Sequence, residues 1–103
     1  MPGDPASLTP ETIAQAVRLI VADVLFVSAE DVKAEKSLIG DLGAESIDFL
    51  DLVFRLEDLV GKKITVAHFD QWIEERLARA ETPDVTVAIM TEFALGEAGL
   101  ADD

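Results

Sequence analysis

Ser46 is the residue with the clearest chemical potential, and it lies in the run Gly43-Ala44-Glu45-Ser46-Ile47-Asp48. A serine nucleophile needs a base within hydrogen-bond reach, and the chain holds a single histidine, His68. The run also lacks the flanking glycines of the G-x-S-x-G elbow, so hydrolysis at Ser46 is not expected and His68 reads as an ordinary surface or half-buried histidine. With no cysteine, a disulfide framework, a zinc-thiolate site and a cysteine nucleophile are excluded. The carboxylates near Ser46 do not follow the spacing of a calcium loop, whose glycine and closing glutamate are missing, so no metal site is expected. What remains is position. Ser46 falls where a glycine-containing turn meets a strong helical pattern, beside the free N–H groups of a positive helix end. Its hydroxyl suits either of two tasks there, capping the helix or bearing an esterified phosphate that the helix end would favour.

The whole chain narrows the context. Its 103 residues are half apolar and carry 21 acidic against 8 basic side chains, a formal net charge of −13. That length fits one small domain, which buries roughly 60 to 70% of its unfolded surface and has little core to spare for a deep catalytic cavity. The charge repels phosphate backbones and anionic lipid headgroups and favours basic protein partners, so nucleic acid is not an expected ligand. There is no basic segment followed by an apolar core at the start, and no apolar run approaches the ~18 residues of a membrane span. A soluble, cytoplasmic monomer is expected.

Four helices must position Ser46. Residues 1–8, with Pro2, Gly3 and Pro5, read as a flexible leader. Thr9 as cap, Pro10 and Glu11 start the first helix, in which Ile13, Ala16, Val17, Ile20, Val21, Val24 and Leu25 form one apolar stripe. From Phe26 to Gly43 the pattern loosens into a long polar connection with Leu38, Ile39 and Leu42 as isolated apolar pins; a loop that long usually has a function. The second helix spans Ser46 to Val60 and has two apolar faces. Phe49, Leu52, Val53, Leu56, Leu59 and Val60 should face the core, while Ile47, Leu50 and Phe54 fall on another side among carboxylates, as a docking surface would. Gly61 ends it. Thr65 caps a third helix over Val66 to Ala80, with Phe69, Trp72, Ile73, Leu77 and Ala80 on one stripe. Thr82, Pro83 and Asp84 repeat the start signal for a fourth helix that would turn Val85, Ala88, Ile89 and Phe93 inward and end at Gly96. Residues 96–103 read as an acidic tail, leaving 9–95 as the domain.

The run Asp41-Leu42-Gly43-Ala44-Glu45-Ser46-Ile47-Asp48, continuing Phe49-Leu50-Asp51-Leu52-Val53-Phe54-Arg55-Leu56-Glu57, closely resembles the signature of acyl carrier proteins, D-L-G-x-D-S-L followed by an acidic amphipathic helix. The likeness extends over roughly residues 9 to 95. Glu45 and Ile47 stand where that family usually has aspartate and leucine. The longer segment from Ile64 to Thr82, the F-L-D-L-V-F run and the downstream tryptophan are similar to specialised carriers that handle very-long-chain acyl groups for lipid A.

The resemblance implies an all-α, four-helix acyl-carrier-like bundle with a long loop between helices 1 and 2. It implies a non-catalytic carrier in fatty acid, lipid or related biosynthesis, with 4′-phosphopantetheine esterified to Ser46 by a phosphopantetheinyl transferase. Acyl-transferring or acyl-modifying enzymes with basic docking surfaces would be the other partners. Ile47, Leu50 and Phe54 would seat in their apolar depressions, while Asp41, Glu45, Asp48, Asp51, Glu57 and Asp58 meet basic rims; such complementarity raises the on-rate and sorts partners. Two rivals share the fold: an acidic adaptor that is never modified, and a peptidyl or aryl carrier.

Overall fold

The computed structural model describes residues 8–81 and 83–100. Four α-helices, α1 (Pro10–Leu25), α2 (Ser46–Val60), α3 (Val66–Ala78) and α4 (Val87–Glu97), build the domain, and no strand occurs among the described residues. The fold is therefore all-α, a four-helix bundle. Positions 1–7 of the expected leader, Thr82 and positions 101–103 of the expected tail lie outside the described residues.

α1 begins where local chemistry dictates. Thr9 Oγ1 accepts from the Thr12 N–H at 3.1 Å, and Thr12 Oγ1 accepts from the Thr9 N–H at 2.7 Å, which satisfies two amide groups at the helix entrance. The helix ends at Phe26, which takes the left-handed conformation (φ 57°) that a glycine more often supplies. Its N–H and that of Val27 both return to the Ala22 carbonyl. Ile13, Val17, Val21 and Val24 of the expected stripe are buried, with Ala16, Ile20 and Leu25 half-buried beside them.

The long connection is ordered around three anchors. Arg18 Nε donates to the Ala29 carbonyl at 2.8 Å, fixing a single 3-10 turn over Ala29–Asp31 against α1. Val32 and Leu38 are buried in the core. The third anchor ties the loop to the segment before α4: Leu38 N–H donates to Val85 O at 2.9 Å and Val87 N–H to Lys36 O at 3.0 Å. Ser37 Oγ also donates to Asp84 Oδ1 at 2.6 Å while accepting from the Gly40 N–H at 2.9 Å. Of the expected pins, Leu38 is fully buried and Leu42 half-buried, but Ile39 is 58% exposed.

That anchor also corrects the start of the fourth helix. The expected start around Thr82, Pro83 and Asp84 is displaced to Thr86, whose Oγ1 accepts from the Ile89 N–H at 3.3 Å. Thr86 is extended and bridged to Ser37, and the Val85 carbonyl accepts from Leu38, so this backbone is already committed to the loop, and two β-branched residues suit such pairing. The later start rotates the helix. Val85 still points into the core from outside the helix, Ala88 is exposed, and Val87, Ile89, Met90, Phe93 and Ala94 are buried. α4 thus buries residues on most of its circumference, as a central helix does. Packing runs past the expected start of the tail: Ala98 and Leu100 are half-buried against the core, and Glu97 reaches His68 Nε2 at 3.0 Å and Lys62 Nζ at 3.5 Å.

α3 starts at the expected cap, Thr65, whose Oγ1 accepts from the His68 N–H at 3.0 Å. It ends at Ala78 rather than Ala80, because the N–H groups of Arg79 and Ala80 turn back to Arg76 and Leu77 in tighter, three-residue bonds.

Candidate functional site

α2 spans the expected residues, and its entrance is built from Glu45 and Asp48. Glu45 holds the cap position, its N–H donating to Asp48 Oδ2 at 2.8 Å, while the Asp48 N–H returns to Glu45 O at 2.9 Å. Ser46 is therefore the first residue inside the helix and not its cap. Its side chain is exposed and has no hydrogen-bond partner among the described residues. The first amides of a helix lack partners within it, so the exposed hydroxyl stands beside unpaired donors at the positive end of a 15-residue helix. Gly43, with φ 76° and open space around it, lets the chain turn into this entrance.

Ser46 also borders an open groove of about 640 Å³ between α2 and α3. Ile47, Phe49 and Leu50 line one wall and Val66, Phe69 and Ile73 the other, with Ile39 and Val85 contributed by the two anchored segments. The groove is mostly apolar, with Asp70 among its lining. Phe69 couples it to the core: its ring lies 6.2 Å from Phe49 and 5.0 Å edge-on from Phe93. Trp72 packs on the other flank of that cluster, 5.2 Å from Phe93, and like Leu77 does not line the groove.

The two faces of α2 separate as the spacing demands. Leu52, Val53 and Leu56 are buried and Phe49, Leu59 and Val60 half-buried, whereas Ile47 and Phe54 are each 68% exposed and Leu50 is 49% exposed. Ile39 and Val66 extend this exposed apolar face beyond α2. The sequence pattern did not mark them, since Ile39 reads as a pin and Val66 as the first residue of an ordinary helix.

The six carboxylates assigned to the rim prove unequal. Asp41 Oδ2 accepts from the Ser37 N–H at 2.8 Å, and Asp48 caps α2 as described. Glu57 Oε2 accepts from the Ile64 N–H at 2.8 Å and lies 3.9 Å from Lys63 Nζ, so it fixes the turn after α2. Asp51 pairs with Arg55 at 3.3 Å, and Arg55 also bonds Asp23 of α1. These contacts hold the Arg55 guanidinium above its ordinary pKa, the bond to Asp23 contributing most. Glu45 is exposed, and Asp58 is exposed with no ion-pair partner among the described residues.

His68 is exposed, engages Glu97 and holds its ring 5.9 Å from that of Phe93 in a tilted arrangement, and it does not line the groove beside Ser46. No group of three or more potential metal-ligating side chains occurs among the described residues, and no described helix is long and apolar enough to cross a membrane.

An exposed serine without a partner, at the positive end of a helix and beside an apolar groove, has the chemistry required to carry a phosphate-linked arm. A family defined by that chemistry matches the chain: its description is phosphopantetheine attachment site, and the match covers residues 15–74, from within α1 through most of α3. The match spans more than half of the 103 residues, and the chain belongs to this family of domains that bear covalent 4′-phosphopantetheine.

Proposed function

We propose that Ser46 bears the phosphopantetheine and that the protein carries acyl groups on it, as thioesters, between enzymes of fatty acid, lipid or related biosynthesis. The observation that carries this reading is the exposed, unpartnered Ser46 hydroxyl at the start of α2, inside the matched segment. Loading would form a bond between Ser46 Oγ and the phosphorus proximal to the pantetheine in coenzyme A. The pyrophosphate linkage breaks, adenosine 3′,5′-bisphosphate leaves, and the hydroxyl proton passes to a base of the transferase.

The bound group supplies a thiol that forms thioesters; the chain's own residues anchor, orient and present it. The unpaired amides at the start of α2 favour the phosphodiester. The groove between α2 and α3 offers apolar surface next to the attachment point. Ile47, Leu50 and Phe54, with Asp41, Glu45, Asp48, Asp51, Glu57 and Asp58 around them, form the face that meets the transferase and acyl-handling enzymes. On this reading Asp58 is available for intermolecular pairing, while Asp41, Asp48 and Glu57, with Glu45 in the capping box, hold the face in shape.

Incubation with coenzyme A, Mg²⁺ and a phosphopantetheinyl transferase should add the mass of one phosphopantetheine to the intact protein. Ser46→Ala should abolish the addition. A native protein without the addition, together with failure of several transferases, would leave the unmodified adaptor as the better account.

A further inference from the structure

The wall that α3 turns to the groove beside Ser46 is an apolar stripe with one interruption. Val66, Phe69 and Ile73 follow at i, i+3 and i+7, and the i+4 position, which a hydrophobic residue would fill to complete the stripe, is Asp70. Asp70 is exposed, and its carboxylate has no hydrogen-bond or ion-pair partner among the described residues. No other charged side chain among the described residues lines this groove. Lys63 lines an adjoining hollow that shares Leu50 and Val66 with it, but its ammonium lies 3.9 Å from Glu57.

An occupant laid along this wall has to answer to that carboxylate. A run of methylenes takes water from Asp70 and returns no hydrogen bond, which costs free energy. A chain ending in a carboxylate adds like-charge repulsion to the same loss, in a protein of net charge −13. An ammonium group replaces the displaced water with a charge-assisted hydrogen bond. Its place along the chain follows from the helix rise. Asp70 stands about 6 Å beyond Val66 and about 4.5 Å short of Ile73, so the groove is apolar on either side of it. An amino group that reaches Asp70 is therefore carried on several methylenes and does not adjoin the thioester.

We propose that Asp70 is a specificity-determining residue: the groove holds acyl chains bearing a positively charged amino group away from the thioester, in preference to chains of equal length ending in methyl or carboxylate. The cargo assignment rests on loading at Ser46; the preference of the groove itself does not.

The groove is tested first in the full chain with Ser46→Ala, which cannot be loaded at Ser46. Octylammonium, octanol and octanoate are titrated at neutral pH, below the concentrations at which they aggregate, and followed by the amide shifts of Val66, Phe69 and Ile73. Octylammonium should bind roughly fivefold more tightly than octanol, the gain of one exposed ion pair, and octanoate more weakly than either. Asp70→Asn should bring octylammonium and octanol level. Glu75→Gln removes the same charge from α3 about 140° around the helix from Asp70, outside the groove, and should keep the preference. A preference that survives Asp70→Asn, equal weakening by both variants, or octanoate binding as well as octylammonium would each overturn the proposal. The chain with Ser46 intact is then loaded with 8-aminooctanoyl or octanoyl pantetheine, and intact mass confirms the addition. The 8-aminooctanoyl form should shift the same amides and lose most of that shift in Asp70→Asn, whereas the octanoyl form should not respond to the substitution; an equal response of both forms would overturn the cargo assignment. Failure to load Ser46 would instead count against the carrier reading and leave the result with the free amphiphiles standing.

Discussion

Ser37→Ala removes the hydroxyl that ties the long loop to the segment before α4. Ser37 is only 5% exposed, and its Oγ donates to a carboxylate, Asp84 Oδ1, at 2.6 Å while accepting from the Gly40 N–H at 2.9 Å. A hydrogen bond to a charged group contributes about 1.5–3 kcal/mol net. Gly40 is exposed, so water can take its amide, and Asp84 is half-buried and can be partly rehydrated. The expected loss is therefore about 2 kcal/mol, toward the low end of that range once rehydration is counted. In a domain of this size a loss of ~2 kcal/mol lowers the melting temperature by roughly 10 °C. Urea titration followed by circular dichroism should show a lower midpoint with an unchanged slope. Asp84→Asn keeps an oxygen acceptor without the charge and should cost about half as much, and the double variant should cost no more than Ser37→Ala alone, because both changes act on one bond. Ser37→Ala within ~0.5 kcal/mol of wild type, or strictly additive losses, would refute the argument that this bond holds the two segments together.

Phe54→Ala should leave stability within about 1 kcal/mol, as expected of a 68% exposed side chain, while reducing turnover by the transferase; unfolding would place Phe54 in the core. Arg76 pairs with Glu92 through two bonds of 2.8 and 2.9 Å, and that hydrogen bonding holds the Glu92 carboxyl below its ordinary pKa. A lowered carboxylate pKa contributes stability above the unfolded-state value and loses it as pH falls through the folded-state value, so Arg76→Gln should be less stable than wild type near neutrality and indistinguishable below that range. Urea midpoints across the acid range will show whether the gap closes. Once Ser46 is loaded with acyl-pantetheines of increasing length, Trp72 emission should change progressively, since Trp72 contacts Phe93, Phe93 contacts Phe69, and Phe69 lines the groove. Identical emission from holo and all acyl forms would show that cargo does not part α2 from α3.

The helices were legible where one local rule decided the outcome. Thr9, Thr65 and Gly61 each act within a single turn of chain, and the boundaries they mark agree with the structure. The 3.6-residue period likewise separated Leu52, Val53 and Leu56 from Ile47, Leu50 and Phe54. The start of α4 was less legible because two local preferences competed. The Thr-Pro-acid signal favours a helix at residue 83, but the loop from Lys36 to Leu38, nearly fifty residues earlier, supplies extended partners that hold Val85 and Thr86 out of it. The same long-range contact brings Ile39 and Val85 to the groove. No spacing within either segment reports a pairing between them.

A similar division explains the acidic surface. Sequence alone presents Asp41, Glu45, Asp48, Asp51, Glu57 and Asp58 as one band of charge beside one apolar stripe. In the structure, backbone amides engage Asp41, Asp48 and Glu57 at 2.8 Å each, so these carboxylates complete the loop, the helix entrance and the turn after α2. Reversing one of them would disturb the shape of the docking face as well as its potential, and lost binding would not measure charge alone. Asp58 has no such duty, and its negative charge remains available to an incoming cation. Net charge attracts basic partners from a distance, but the orientation they adopt depends on the few carboxylates still unpaired when they arrive. On this surface Asp58, near the end of α2, is such a group, whereas Glu45 and Asp48 form the capping box at its start.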